Sequence, residues 1–145
     1  MSTTMVRSVI DEYREAWNAH DAARCAKLFT EDGVREFKVL PLALTGNKAR
    51  FAGHAEIEEG IRVFIEAVPD LTVEALSWSE GDRHVVLEWR VKGTHTGNWG
   101  GWTGQGEAVD FPGVSIYEID GELIREERMY FDNNLMAANW KPPGV

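Results

Sequence analysis

The sequence has only one cysteine, Cys25, which excludes an internal disulfide framework and a zinc site built from several thiolates. No apolar run approaches the roughly 20 residues that span a bilayer, and residues 1–5 are polar and lead directly into a helical pattern, unlike a secretory signal. Basic side chains are scarce, with 15 against 24 acidic ones and a net charge of −9. A surface this acidic repels nucleic-acid phosphates and anionic lipid headgroups. We therefore expect a cytoplasmic protein that binds neither nucleic acid nor a membrane.

The rest of the composition is that of a folded domain. Hydrophobic residues make up 43% and charged residues 27% of the 145 positions, so the chain can bury a core of its own. No internal repeat, linker or low-complexity tract divides it, and we expect a single domain over 1–145. Six tryptophans are a high load, and large aromatic side chains line pockets as well as fill cores. An apolar ligand, neutral or weakly acidic, fits this composition.

Apolar periodicity predicts three helices and a series of strands. Three- and four-residue spacing indicates an amphipathic first helix, Asp21 is a good N-cap for the second, and Pro69 ends the third. Alternation indicates strands with one buried face, and Asp120-Gly121 indicates a hairpin. The predicted helices are 6–17, 22–29 and 54–68, with a last helical turn in 133–140, and the predicted strands are 34–37, 71–78, 84–92, 108–119 and 122–131. The proline-broken stretch 38–52 is interpreted as a loop, or a strand and a loop, over a pocket mouth.

This order of elements predicts an α+β architecture. A curved sheet that wraps around helices on one side cannot close, so its concave face and the helices enclose a cavity. We expect a cone-shaped α+β barrel, in which a mixed or antiparallel sheet wraps around three helices from the N-terminal half of the chain. The cavity inside it is the predicted site for an apolar small molecule.

Several short motifs, in this order and spacing, resemble the nuclear-transport-factor-2-like superfamily, and within it the SnoaL-like polyketide cyclase branch. The resemblance covers roughly residues 5–136. It rests on the motifs at 17–21 (WNAHD), 28–32 (LFTED), 53–57 (GHAEI), 69–71 (PDL), 93–97 (GTHTG), 103–104 (TG) and 130–132 (YFD). Two features depart from the family. Its usual strand histidine is replaced by Glu118 or Ile116, and the proline before its Thr-Gly pair is replaced by Trp102.

The resemblance implies an enzyme that uses neither a cofactor nor a metal. It implies that Asp132 is the general acid/base of an intramolecular aldol closure on a polyketide-like substrate of secondary metabolism. The chemistry suits a carboxylate in an apolar cavity, where burial raises the pKa and favours proton transfer from carbon. Asp132 can instead cap a terminal helix. A homodimer through the outer face of the sheet is also expected by analogy with the family.

Three further polar residues are candidates for the site. If Asp132 faces the cavity, strand alternation places Tyr130 and Arg128 on the same side, where they hold a substrate oxygen or stabilise an enolate. Arg128 can also pair with Glu118 or Glu126. His95 is either a second acid/base or a histidine that hydrogen-bonds backbone at a strand end. The side chains expected to contact the substrate are Tyr13, Trp17, Phe64, Trp89, Trp99, Trp102, Ile116 and Glu118.

Metal binding has little support in the sequence. His54 and Glu58 share a helix face, but no third ligand is evident. Three functions therefore stay open: cyclisation or isomerisation of a carbonyl compound, hydrolysis or rearrangement of an epoxide or ester-like ring, and ligand binding without turnover. Hydrolysis favours at least two acidic groups in the cavity. Binding alone is favoured if Asp132 is exposed or capped and the cavity is wholly apolar.

Overall fold

The computed structural model describes residues 3–39, 49–99 and 102–132, and these ranges contain three helices and eight strands. The helices are α1 (Thr3–Asn18), α2 (Ala22–Lys27) and α3 (His54–Ala67). The strands are β1 (Phe29–Phe37), β2 (Arg50–Ala52), β3 (Thr72–Glu80), β4 (His84–His95), β5 (Asn98–Trp99), β6 (Trp102–Thr103), β7 (Glu107–Asp120) and β8 (Leu123–Phe131). None of these helices is long and apolar enough to cross a membrane.

The helices follow the local signals in the sequence. Asp21 caps α2, because its Oδ1 accepts a hydrogen bond of 3.0 Å from the backbone N–H of Arg24. α3 begins after Gly53, whose φ of 84° favours glycine, and it ends at Ala67, just before Val68 and Pro69. The three predicted helices are therefore confirmed.

Six of the strands form one curved, open sheet in the order β2-β1-β8-β7-β4-β3. All its neighbours pair antiparallel except β1 and β8, which are parallel. β5 and β6 form a small separate hairpin. The helices pack on one side of the large sheet, where the core lies. The predicted fold class, an α+β cone with a mixed sheet, is confirmed.

The structure differs from the predicted elements at a few places. β1 begins at Phe29 instead of residue 34, and its pairing with β8 shifts register between Phe29 and Val34. β4 continues to His95, and the glycine-rich segment after it contains the β5–β6 hairpin. β2 lies inside the stretch 38–52, which agrees with the strand-and-loop alternative there, and residues 40–48 of this stretch are outside the described residues. The predicted turn of helix at 133–140 is outside them as well.

Candidate active site

The concave face of the sheet, α1 and α3 enclose a cavity that opens to solvent. It holds about 680 Å³ of space free of protein atoms, including the part at its open mouth. Its wall is mostly aliphatic and aromatic. The lining residues are Ile10, Tyr13, Arg14, Trp17, Arg35, Phe37, Phe64, Leu71, Val73, Leu87, Trp89, Val91, Trp99, Phe111, Tyr117, Glu127, Met129 and Phe131. Such a wall suits an apolar ligand with few polar groups.

The carboxylate of Glu127 is the centre of a hydrogen-bonded cluster inside this cavity. Glu127 is only 3% exposed. Its Oε1 accepts hydrogen bonds from the Tyr13 hydroxyl at 2.6 Å and from Arg35 Nε at 3.2 Å. Its Oε2 accepts one from the Ser115 hydroxyl at 2.8 Å, and Trp89 Nε1 donates to that hydroxyl at 2.9 Å. These donors hold the carboxylate in one orientation.

The Arg35 guanidinium balances the charge of Glu127. Burying a carboxylate alone is very costly, whereas a paired and hydrogen-bonded one is tolerated. Arg35 lies between two rings, with its Cζ 5.2 Å from the ring centroid of Trp17 and 5.1 Å from that of Phe37. Aromatic faces attract a guanidinium, so they help to keep this cation in an otherwise apolar wall.

Two tyrosine hydroxyls beside Glu127 stay protonated. Burial raises the pKa of both Tyr13 and Tyr117 well above the ordinary value, and the negative charge of Glu127 raises each pKa further. Burial alone would lower the pKa of Arg35, but its interactions with Tyr13 and Glu127 outweigh this effect and the pKa is raised. Around Glu127, the cluster therefore combines this carboxylate with the Arg35 guanidinium and two neutral tyrosine hydroxyls.

A β-bulge explains which residues of β8 face the cavity. Ile119 pairs with Ile124, but the next pair is Glu118 with Glu126, so Arg125 is an extra residue in β8. Before the bulge the buried residue is the even-numbered Ile124, and after it the buried residues are the odd-numbered Glu127 and Met129. This change turns Glu127, Met129 and Phe131 toward the cavity.

This register places Tyr130 and Arg128 on the side of β8 opposite to the predicted one, which was the cavity side. Both lie on the outer face of the sheet, and Tyr130 is 38% exposed. Arg128 Nη1 pairs with Glu118 Oε2 at 2.5 Å and with Glu126 Oε1 at 3.1 Å. Ile116, which pairs with Arg128, and Glu118 are also on that face and away from the cavity.

Asp132 directly follows β8, and its side chain is exposed. The terminal helix that Asp132 would cap in the alternative prediction falls in residues 133–145, which lie outside the described ranges.

His95 is completely buried, with its Nδ1 3.8 Å from Glu107 Oε2. Burial lowers the pKa of His95, and the nearby Glu107 offsets only part of this shift. The described lining of the cavity includes neither Asp132 nor His95.

The aromatic residues expected at the site are mostly found there. Tyr13, Trp17, Phe64, Trp89 and Trp99 all line the cavity. Trp102, which is paired with Trp99 in the β5–β6 hairpin, is half-buried and packs against the core instead.

Sequence reasoning missed Glu127, Arg35, Ser115 and Tyr117. A usable signal was present in β7, where Phe111, Ser115 and Tyr117 share one strand face, but the bulge hid the corresponding signal in β8.

The described residues give no indication of a metal site. Across 3–39, 49–99 and 102–132, no three His, Cys, Asp or Glu side chains are placed to hold a metal ion. His54 uses its Nε2 in a 2.7 Å hydrogen bond with the carbonyl of Phe29. Burial raises the pKa of the Cys25 thiol to about 12, which makes it a poor nucleophile or ligand.

The structure is thus an open α+β cone around an apolar cavity with one polar cluster. The family model described as SnoaL-like polyketide cyclase matches residues 7–139, and the chain belongs to this family. The predicted family is thus confirmed. No curated protein sequence matches the chain.

Solved structures agree on the fold. A candidate SnoaL-like polyketide cyclase from Jannaschia sp. CCS1 is 17% identical, with a TM-score of 0.78 over 95% of this chain and 96% of that one. A candidate isomerase from Bacillus subtilis is 18% identical, with a TM-score of 0.79 over 95% and 94%. A phenazine biosynthesis-related protein from Pseudomonas aeruginosa is 18% identical, with a TM-score of 0.78 over 98% and 88%. At these identities the likeness shows the fold alone.

Proposed function

We propose that the protein is a cofactor-independent acid/base enzyme that cyclises or isomerises an apolar, carbonyl-bearing small molecule of the polyketide type. The observation that carries this proposal is the Glu127 carboxylate, which is buried, oriented by three donors and aimed into an aromatic cavity. A positioned carboxylate within reach of a substrate carbon is the usual requirement for general base catalysis. Membership of the SnoaL-like family supports the same class of reaction.

The reaction begins when Glu127 takes a proton from the carbon next to a substrate carbonyl. The electrons of the broken C–H bond move into the carbonyl group and form an enolate. Glu127 becomes neutral as the enolate becomes negative, so the charge near Arg35 is unchanged. The Tyr13 hydroxyl donates to Glu127 in the resting site, and it turns to the enolate oxygen once Glu127 is neutral. The Arg35 guanidinium is fixed beside Glu127 before the reaction and stabilises the negative charge that develops.

The fate of the enolate distinguishes the two reactions. In a cyclisation, the enolate carbon bonds to a second carbonyl carbon of the same molecule, and the resulting alkoxide takes the proton back from Glu127. In an isomerisation, the proton returns from Glu127 to a different carbon of the conjugated enolate. Both sequences balance without an oxidant or a reductant, and neither consumes water.

The cavity composition favours this proposal over the two alternatives. Ring hydrolysis favours two acidic groups, one to activate water and one to protonate the ring, whereas Glu127 is the sole acidic residue in the described part of the lining. Ligand binding without turnover was favoured by an exposed Asp132 together with a wholly apolar cavity. Asp132 is exposed, but the cavity contains the Glu127–Arg35 pair.

The proposal assigns the acid/base role to Glu127, and Asp132 stays the second candidate because the family resemblance implies it. The test is deuterium exchange at C2 of α-tetralone, an apolar ketone, followed by NMR in D₂O. We expect the wild-type protein to accelerate the exchange. Glu127→Gln should reduce the acceleration by about 100-fold or more, and Asp132→Asn should change it little. Glu118→Gln removes a carboxylate from the outer face and is the matched control.

Two results would contradict the assignment. If Asp132→Asn abolishes exchange while Glu127→Gln retains it, the base is Asp132, and Glu127 has a structural role. If the wild-type protein causes no exchange, the acid/base proposal fails for this class of ketone. Near-ultraviolet circular dichroism of each variant separates a loss of catalysis from a loss of tertiary packing.

A further inference from the structure

The charged residues of the cavity lining are not balanced. The described lining contains two arginines, Arg14 and Arg35, and one carboxylate, Glu127. Arg35 is paired with Glu127 at 3.2 Å, so this cation is already compensated. Arg14 is the remaining charge, and it is positive in a protein whose net charge is −9. A cation in the wall of an otherwise apolar cavity attracts an anionic group of a ligand.

Helical spacing places Arg14 at the edge of the cavity. Ile10 precedes it by four residues and Trp17 follows it by three, so these three share one side of the helix. The adjacent Tyr13 lines the cavity with them. The Arg14 side chain is 32% exposed, whereas Tyr13 is buried. Arg14 therefore lies where the cavity meets solvent, while the Tyr13–Glu127 cluster lies deeper in the wall.

The ion pair that Arg14 makes within the protein is weak. Its Nη2 is 3.7 Å from Asp11 Oδ1, which is longer than a hydrogen bond, and Asp11 is also approached by Arg7 at 3.8 Å. The Asp11 side chain is 44% exposed, so solvent screens both contacts. The planar fork of the Arg14 guanidinium is thus available for the bidentate contact that suits a carboxylate.

We propose that Arg14 is a specificity-determining residue that binds a carboxylate group of the ligand at the cavity mouth. The substrate class is then a flat, apolar acid: its body packs among the aromatic side chains, and its single carboxylate contacts Arg14. This inference rests on the proposed function, because it names the substrate of the same cavity. The aromatic side chains that surround such a body are Phe37, Phe64, Trp89, Trp99, Phe111 and Phe131.

The test compares 2-naphthoate with 2-naphthamide, a neutral compound of the same shape, by isothermal titration calorimetry. We expect the wild-type protein to bind the naphthoate about five- to tenfold more tightly than the amide, as for one partly exposed charge pair. Arg14→Gln should remove this preference because it weakens naphthoate binding more than amide binding, and Arg14→Lys should restore part of it. Added salt should reduce the preference in the wild-type protein.

Arg7→Gln is the matched control. Arg7 is on the same helix and pairs with the same Asp11, but it is outside the cavity lining and 60% exposed. This variant removes an equal charge and should leave the preference intact. Equal binding of the two probes by the wild-type protein overturns the proposal, as does a preference that survives in Arg14→Gln or disappears in Arg7→Gln. Absence of binding by both probes also overturns it.

The outcome is separable from that of the proposed function. α-Tetralone is neutral, so its deuterium exchange does not require Arg14. If the wild-type protein catalyses exchange but binds the two probes equally, only the proposed substrate class is contradicted. A carboxylate preference without exchange supports Arg14 and contradicts the acid/base role of Glu127.

Discussion

Tyr13 connects helix α1 to the buried carboxylate of the sheet. Its hydroxyl donates to Glu127 Oε1 at 2.6 Å, and the phenol is buried among Trp17, Phe29 and Tyr117 in edge-to-face contacts. A short hydrogen bond to a charged acceptor in a dry environment is stronger than an ordinary one. Tyr13 therefore contributes both to the fold and to the orientation of Glu127.

We predict that Tyr13→Phe lowers the free energy of unfolding by about 1.5–3 kcal/mol, the typical value for a hydrogen bond to a charged group. The ring and its packing are retained, so the loss reports the hydroxyl. Urea denaturation measures it. Tyr130→Phe is the control, because this half-exposed tyrosine lies on the outer face of the sheet, and its unfolding curve should match the wild type. Equal stabilities of the two variants would argue against a stabilising Glu127 cluster.

His95 couples the stability of the protein to pH. Burial lowers its pKa in the folded state, while the unfolded chain has the ordinary value of about 6.5. Between these two values the unfolded chain binds more protons than the folded one. The contribution of neutral His95 to stability is therefore fully present above about pH 6.5. It is lost as the pH falls from that value toward the lowered folded-state pKa, with a limiting slope of about 1.4 kcal/mol per pH unit for one proton.

We predict that His95→Gln flattens the pH dependence of the unfolding free energy below about pH 6.5, the ordinary histidine value. Urea midpoints measured across this range against the wild type provide the test. His84→Gln removes an exposed histidine and should leave the dependence unchanged. If wild type and His95→Gln show the same slope, the burial of His95 does not control the acid sensitivity of the fold.

At the scale of elements, the features that could be predicted are those encoded locally. The α1 stripe, the Asp21 cap, the stop at Pro69 and the Asp120-Gly121 hairpin each depend on a few neighbouring residues. Gly121 indeed has a φ of 63° in that hairpin. Such signals fix the order of helices and strands, and the order implies a cone with an internal cavity.

The face of a strand is harder to predict, because one extra residue reverses it. Strict alternation from the buried Ile124 would place Glu126, Arg128 and Tyr130 in the core, and Asp132 beside them. Arg125 is bulged, so the positions that face inward become Glu127, Met129 and the half-buried Phe131. This register is favourable because it buries Met129, turns Phe131 toward the core and leaves Arg128 in solvent contact, where it pairs with Glu118.

The polar cluster also depends on contacts between distant elements. Tyr13, Arg35, Ser115 and Glu127 come from α1, β1, β7 and β8, and Tyr13 and Glu127 are 114 residues apart in the chain. A single Arg or Glu in a sequence is normally predicted to be exposed to solvent, because its buried partner is not evident from neighbouring residues. The aromatic wall was easier to predict, because a tryptophan on the apolar face of a predicted helix or strand is buried either in the core or in the wall of a cavity.

At the scale of the whole molecule, the outer face of the sheet presents an apolar patch. The register of β4, β7 and β8 makes Val86, Val114, Ile116 and Tyr130 neighbours on that face. Charged side chains border the patch, among them Glu88 and the Arg128–Glu118 pair. An apolar centre with a polar rim is the usual composition of a protein interface, and a flat patch of this kind can pair with itself around a two-fold axis.

We predict that two copies of the chain associate through this patch. Each copy has a net charge of −9, so repulsion opposes association and added salt should strengthen the dimer. Sedimentation velocity at micromolar concentrations measures the state. Ile116→Arg places a charge at the centre of the patch and should give a monomer, whereas Leu123→Arg, at an exposed position near the β7–β8 hairpin, should remain dimeric.

A monomeric wild-type protein at high salt would contradict the prediction. A dimer that survives Ile116→Arg would require a different surface. Because Glu127 faces the opposite side of the sheet, the monomeric variant should keep its cavity and its ligand affinity, so assembly and binding can be measured independently.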